Sequence, residues 1–409
     1  MKLSSLTIKN YRALDEITLS LNPGMNVLYG TNGAGKSSIL YALHDFLGLL
    51  FSQEIAPPDF RLFPGRAVRD HNRDTAIGLC FSNGCTVSAT LRPDVVYREP
   101  VTVASGWRQS CQLADGTRIS HFPDFDVHAC SFFPGKSQDN IDAKFLPTPS
   151  SLELRVQERP PLSFNRGASY LGFKESFERQ ENRENQKRIR NSDYRDPVLE
   201  KIRKALSTLL DGFQDITIDR EQKGYPLCIL KNGRLMDVAQ QMSSGEANIV
   251  SLVGQIVLNV HAAQDKDIPC IVLIDEIDNS LHPQWQLKIC NLLKKAFPDV
   301  QFIVSSHSPF VWSELNRDEV IWLERDSEGK VVRKPVDYAK GGRIWDIIGE
   351  YFGVAQYGRD FADEVHAIDA LIEQGDADAA RKTMSKMRDR YGNLPILSRL
   401  EFRMRVLGL

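Results

Sequence analysis

Gly30-Thr31-Asn32-Gly33-Ala34-Gly35-Lys36-Ser37 fits the pattern G-x-x-x-x-G-K-[ST] at every fixed position. In such a loop the glycines let backbone N–H groups turn inward and cradle phosphate oxygens. The lysine reaches the β- and γ-phosphates, and the serine hydroxyl holds Mg²⁺. The flanks suit this role. Met25-Asn26-Val27-Leu28-Tyr29 reads as a strand entering the loop. Ile39, Leu40, Leu43, Phe46 and Leu47 are spaced as one face of a helix leaving it. That helix would aim its positive N-terminus at the anion. The candidate phosphate-contacting set is Asn32, Gly33, Gly35, Lys36, Ser37 and Ser38, with Ser37 also a metal ligand.

Outward from the loop, Leu6-Thr7-Ile8 and Ile17-Thr18-Leu19-Ser20-Leu21 read as strands, and Ile77 to Val87 as a hairpin turning at Ser82-Asn83-Gly84. Gln53 to Asn72 reads as loop, and Val127 to Phe133 as a further strand. Lys174 to Lys204 carries ten basic and seven acidic residues, which favours an exposed helix with a solvated face. Strand texture returns at Ile216-Thr217-Ile218 and Leu227-Cys228-Ile229-Leu230, the latter followed by a Lys231-Asn232-Gly233-Arg234 turn.

Three later stretches carry chemistry. Met242-Ser243-Ser244-Gly245-Glu246 precedes a periodic helix. It offers either an ordinary N-cap or small residues at an anion site. Pro269-Cys270-Ile271-Val272-Leu273-Ile274-Asp275-Glu276 is a continuous apolar run, as a parallel strand covered on both faces requires, ending in two carboxylates. Ligands of such sheets bind at the carboxyl ends of strands. Asp275 is therefore the candidate metal ligand and Glu276 the candidate base for an attacking water, unless both merely cap the next helix. Val300 to Ser306 is a similar run, ending at His307, a candidate γ-phosphate contact.

Composition excludes little and suits a globular chain of two or three domain-sized units. The 409 residues are 42% hydrophobic and 25% charged, with a formal net charge of −2. No global basic signature announces nucleic acid. The seven cysteines are scattered with no C-x-x-C pair, so neither a disulfide framework nor a zinc site is expected. No apolar run reaches membrane-spanning length and no secretory leader is evident, so the reading is a reduced, cytoplasmic protein without a membrane partner.

Taken together these motifs resemble the ABC-type ATPase superfamily, in the branch containing SMC, RecF and OLD-like proteins. Leu6-Thr7-Ile8-Lys9-Asn10-Tyr11-Arg12 is similar to that branch's opening strand, which implies a nucleotide contact for Arg12. Ser243-Ser244-Gly245-Glu246 resembles the signature loop, and Asp275 and Glu276 resemble Walker B and its catalytic glutamate. Asp278-Asn279-Ser280-Leu281-His282-Pro283 resembles the D-loop, and His307 the switch histidine. The Q-loop glutamine is not placed; Gln138 and Gln53 are the candidates. The resemblance implies Mg²⁺-dependent ATP hydrolysis with two ATP molecules sandwiched in a head-to-tail dimer or higher oligomer. Ser243, Ser244 and Gly245 would then act in trans.

The implied fold is α/β, an ABC-type P-loop NTPase with an inserted helical arm and a C-terminal helical region. Its expected parts are 1–147 and 235–325 for the two halves of the ATPase, 148–234 for the arm, and 326–409 for the terminal helices. The arm is too short for the coiled coils of SMC-type proteins, and the acidic nuclease motifs of OLD-type proteins are not seen after His307. The closest resemblance is to the ATPase subunit of Septu-type anti-phage defence systems, including retron-associated ones. There a separate HNH nuclease does the cutting, and the terminal helices would dock it or simply cap the core. The alternative is a RecF-like, ATP-dependent DNA clamp in repair, with nucleic acid as the partner.

Overall fold

The computed structural model describes residues 2–51, 69–70, 73–82, 84, 86–91, 111–112, 118–120, 128–132, 168–262, 270–279, 281–353 and 358–409. In chain order the strands are β1 (Leu3–Tyr11), β2 (Leu14–Ser20), β3 (Met25–Gly30), β4 (Thr75–Phe81), β5 (Thr86–Leu91), β6 (Cys111–Gln112), β7 (Arg118–Ser120), β8 (His128–Phe132), β9 (Phe213–Ile218), β10 (Leu227–Lys231), β11 (Arg234–Asp237), β12 (Cys270–Ile274), β13 (Val300–Ser305), β14 (Val320–Arg325) and β15 (Val331–Lys334). The helices are α1 (Lys36–Phe51), α2 (Ala168–Arg188), α3 (Pro197–Leu209), α4 (Ser244–Ala262), α5 (Pro283–Gln286), α6 (Ile289–Ala296), α7 (Pro309–Trp312), α8 (Ile344–Glu350), α9 (Arg359–Glu373), α10 (Ala377–Tyr391) and α11 (Pro395–Val406).

Two sheets enclose α1. One runs in the order β2-β1-β4-β5-β7-β6 and is antiparallel throughout. The other runs β15-β14-β3-β13-β12-β8, with five parallel strands and antiparallel β15 at the edge. Helix α1 packs on β1 of the first sheet and on β3, β8, β12 and β13 of the second. β3, β12 and β13 are buried at every residue, which is why β12 reads as an unbroken apolar run and β3 and β13 as mostly apolar ones, each with one buried amide (Asn26, Gln301), rather than as alternating strands. Because the five strands are parallel, their carboxyl ends share one edge. The loop after β3, the carboxylates after β12 and the histidine after β13 are therefore brought to one place.

The described part of the segment expected as an inserted, mostly helical arm, 168–234, packs within the first compact unit. α3 is capped by Asp196 and buries Val198, Leu199, Ile202, Ala205, Leu206 and Leu209. It packs against α4 and α6, and α2 packs against α4. The last part of the segment forms the antiparallel sheet β11-β10-β9, in line with the strand texture read at 216–218 and 227–230. Its hairpin turns at Asn232 and Gly233, both at positive φ (51° and 73°), as a tight two-residue turn demands. The charged face of α2 is only partly solvated. Glu184 turns inward to Arg203, and Glu181 accepts from Thr217 Oγ1 at 2.7 Å and from the Ile218 N–H at 3.1 Å. A buried carboxylate requires such partners. Thr148 to Gly167, Gln53 and Gln138 lie outside the described residues.

The chain divides into two compact units, Met1–Ile344 and Trp345–Leu409. The second begins later than the expected 326, because β15 pairs with β14 at the edge of the second sheet. Asp376 caps α10, its side chain accepting from the Ala379 N–H at 3.0 Å. The unit has its own core of Val365, Ile368, Ile372, Ala380, Met384, Met387, Leu397, Leu400 and Met404. Ion pairs Arg403–Asp369, Arg390–Glu364 and Arg388–Glu401 tie its helices together. Cys80, Cys228, Cys270 and Cys290 are free thiols, and burial pushes those of Cys270 and Cys290 up to about 12. Among the described residues no helix is long and apolar enough to cross a membrane.

Candidate nucleotide site

The loop after β3 is shaped by its glycines. Gly30, Gly33 and Gly35 have φ of 147°, 81° and 88°. A Cβ at Gly30 would lie 2.3 Å from the Leu323 carbonyl oxygen of β14, and one at Gly35 would lie 2.7 Å from Leu14 Cδ2. Only glycine lets β3 and β14 approach so closely while the chain turns. The Ala34 N–H donates to the Thr31 carbonyl at 3.0 Å, closing the tight turn ahead of α1.

Lys36 is buried and folds back on the loop, donating to the carbonyls of Gly30 at 2.8 Å and Thr31 at 3.2 Å. Carbonyl oxygens solvate an ammonium without cancelling its charge. Burial lowers the Lys36 pKa, and Asp275, Glu276 and Asp278 pull the other way. Those opposing carboxylates come from the end of β12, some two hundred and forty positions later in the chain.

The Ser37 hydroxyl donates to Asp275 Oδ1 at 3.2 Å, so serine and carboxylate form a pair of hard oxygen donors of the kind Mg²⁺ prefers. The β12 carboxylates do not cap the next helix; His282 caps α5. Instead Ser305, the last residue of β13, clips them. Its Oγ receives the Glu276 N–H at 2.8 Å and donates to Asp275 Oδ1 at 2.5 Å. The Ser305 carbonyl accepts the Ile277 N–H at 3.0 Å. Glu276 is held at φ 53°, a left-handed conformation that costs a residue with a Cβ about 1–2 kcal/mol. Strain of this kind collects at functional sites.

His307 follows two residues after Ser305. Its N–H donates to Asp278 Oδ1 at 3.2 Å. Partial desolvation lowers its pKa, the positive Lys36 lowers it further, and Asp278 and Asp275 oppose both. The lysine, carboxylates and histidine are thus within electrostatic reach of one another. Behind them Tyr29 of β3 donates to the Ser308 carbonyl at 3.2 Å and packs at a tilt of 56° against Trp312, with 4.8 Å between ring centroids. Gln286 accepts from Ser308 Oγ at 2.7 Å and donates to the Asp278 carbonyl at 3.2 Å. These contacts fix the histidine segment on the sheet edge.

Arg12 lies over the Tyr41 ring of α1 at 4.1 Å, at φ 50°, with its buried Nε lacking a hydrogen-bond acceptor. The Ser243–Gly245 stretch opens α4. Ser243 Oγ accepts the Glu246 N–H at 3.3 Å and lies 3.0 Å from its carboxylate. The Glu246 carboxylate also pairs with Lys231 at 2.5 Å. Burial raises the Glu246 pKa, but hydrogen bonds from Lys231 and Ser243 outweigh it and hold the carboxyl below its ordinary value. The structure thus brings Lys36, Ser37, Asp275, Glu276 and His307 together within one chain. The hydrogen bonds of Ser243 run within its own loop. Sequence reasoning gave no role to Ser305, Gln286 or Arg325. A serine at the buried end of an apolar strand, two residues before His307, was the available signal for the first.

A glycine-rich loop, two carboxylates and a histidine meet at the carboxyl edge of one parallel sheet, the arrangement of an α/β P-loop ATPase. Residues 1–227 match the AAA ATPase domain family, and the chain belongs to that family. It is 34% identical over 164 residues to the retron Ec83 probable ATPase of Escherichia coli, covering 39% of this chain and 29% of that protein. It is 30% identical over 156 residues to the Septu protein PtuA of Bacillus mycoides (37% of this chain, 22% of that one). A shorter match, 37% over 86 residues, is to the DNA replication and repair protein RecF of Klebsiella pneumoniae (19% and 24%). In each case the match spans less than a third of the relative's length. Among solved structures, the SMC head domain from Thermotoga maritima superposes with a TM-score of 0.45 at 18% identity, over 82% of this chain and 100% of that one.

Proposed function

We propose that this chain is the ATP-hydrolysing subunit of an anti-phage defence complex, in which ATP-dependent closure of a head-to-tail dimer controls a separate HNH-type nuclease. The observation that carries the ATPase part is the convergence of Lys36, Ser37, Asp275, Glu276 and His307 at the carboxyl edge of one parallel sheet. Ser37 and Asp275 hold Mg²⁺, which neutralises charge on the phosphates when bound. Gly33, Gly35, Ser38 and Asn32 line the cradle, and Lys36 exchanges its carbonyl partners for phosphate oxygens. Glu276 orients and deprotonates water, and neutral His307 donates toward the terminal phosphate. Ser243, Ser244 and Gly245 complete the site of the opposite copy, and Arg12 contacts nucleotide from β1. The defence assignment is supported by the likeness to the retron and Septu proteins. The separate C-terminal unit is the proposed docking module.

Phosphate release and light scattering on the purified chain test this. Lys36→Ala loses ATP binding. Glu276→Gln keeps binding, slows hydrolysis by a factor of about 10²–10⁴, and accumulates as a dimer or larger species with ATP. A Glu276→Gln protein that turns over normally removes the base assignment, and one that stays monomeric with ATP removes the closure. The RecF match favours a second reading, a clamp on DNA. ATP-dependent duplex binding by the chain alone would select it.

A further inference from the structure

The three glycines of the phosphate loop are held in different ways. Gly30 is fixed by the Leu323 carbonyl of β14, and Gly35 by Leu14 and by Val331 of β15. Gly33 has nothing within 4 Å of where its Cβ would be, and it sits at φ 81° at the exposed tip of the loop. A glycine in open space has the widest conformational freedom of any residue. One side chain holds it. Arg325, at the carboxyl end of β14, donates from Nη2 to the Gly33 carbonyl at 2.7 Å.

The base of that arginine is rigid. Its Nη1 donates to the Gly329 carbonyl at 2.5 Å. The turn from Asp326 to Lys330 is closed by the Asp326 N–H on the Lys330 carbonyl at 2.9 Å. It is closed again by Asp326 Oδ1, which accepts from the N–H groups of Glu328 and Lys330 at 3.0 and 2.8 Å. The planar guanidinium thus bridges a fixed turn and a free loop, a geometry suited to its fork and poorly reproduced by an ammonium. Both acceptors are neutral carbonyls.

We propose that Arg325 is a positioning residue of the ATP site. It holds the Gly33–Ala34 peptide with its carbonyl outward and its N–H toward Thr31, so that the loop is ordered before the triphosphate arrives. This rests on the phosphate loop binding ATP. An ordered loop spares the ligand the cost of ordering it, so the effect falls on affinity rather than on the chemical step.

The test is steady-state ATP hydrolysis, with direct titration by a fluorescent ATP analogue, on wild type, Arg325→Ala, Arg325→Lys and the turn control Lys330→Ala. Arg325→Ala raises KM and Kd on the order of tenfold and leaves kcat within about twofold. Arg325→Lys falls between it and wild type, and Lys330→Ala matches wild type. Circular dichroism confirms that each variant is folded. Unchanged KM and Kd in Arg325→Ala, with or without a lower melting temperature, overturns the proposal. So does a fall in kcat at constant KM, which would mean a contact made only in the transition state. Should wild type itself fail to bind the analogue, the ATP reading falls and the proposal with it; binding by wild type and Arg325→Ala alike sinks the proposal alone.

Discussion

Ser305 Oγ lies 2.5 Å from Asp275 Oδ1 and takes the Glu276 N–H at 2.8 Å, so one hydroxyl at the end of β13 positions the carboxylate of Asp275 and the backbone of Glu276 at the end of β12. The two strands are parallel neighbours, with Ile274 opposite Val304. This pairing puts the serine level with the first residue beyond β12. The site's geometry is therefore a consequence of strand register.

Ser305→Ala tests that dependence. The substitution leaves a buried carboxylate oxygen and an N–H short of a partner, at a cost of about 1–3 kcal/mol. Urea denaturation should show a loss of that size. ATP turnover should fall while nucleotide binding, carried by Lys36 and the loop N–H groups, is largely kept. Full turnover in a destabilised Ser305→Ala protein would confine the serine to a structural role.

Glu276 is strained for a purpose. At φ 53° any residue with a Cβ is penalised, and glycine is not. Glu276→Gly should therefore be more stable than Glu276→Ala by about 1 kcal/mol in chemical denaturation, with both inactive in ATP hydrolysis. Equal stability of the two variants would show that the left-handed backbone is not a cost to the fold.

The pH dependence of His307 has a definite sign. Desolvation of the ring and then the Lys36 charge hold its pKa below 6.5. Between the folded value and 6.5 the unfolded chain binds the extra proton. Stability is therefore complete above 6.5 and is lost as pH falls through the folded value. NMR titration of the imidazole should give a value below 6.5. Lys36→Met should move it up and Asp278→Asn further down. In His307→Gln the acid-side loss of stability assigned to this group should disappear. A titration at or above 6.5 in wild type would contradict the crowding of these charges.

What the sequence made legible follows from where each signal resides. Gly30 to Ser37 is a contiguous pattern, and the fully buried β12 and β13 declare themselves as apolar runs ending in functional residues. The hairpin at Asn232-Gly233 is equally local. The inserted segment was harder. Its charges suggested a solvated arm, but Glu181 and Glu184 are neutralised by Arg220 and Arg203 from elements that only the fold brings near. Arg325 was illegible for the same reason: its partner lies 292 positions away, and no local pattern encodes such a distance. Ser305 left only its place two residues before His307 as a signal, since its carboxylate partner lies 30 positions away.

The Lys231–Glu246 pair supplies a test of the proposed trans site that a single substitution cannot. Glu246 sits in the first turn of α4 with Lys231 at 2.5 Å, and its carboxylate contacts the Ser243 hydroxyl. An approaching triphosphate would meet a negative charge beside the serine were the lysine not there to balance it. Lys231→Met should thus weaken ATP-dependent assembly, measured by light scattering in the Glu276→Gln background. Removing the carboxylate as well, in Lys231→Met/Glu246→Gln, should restore much of it, because the neutral pair again presents no net charge. The coupling between these neighbours should appear as non-additivity in the double-mutant cycle. Additive losses would mean that the ion pair only holds α4 to the β10–β11 hairpin, and that no phosphate from another copy comes near Ser243.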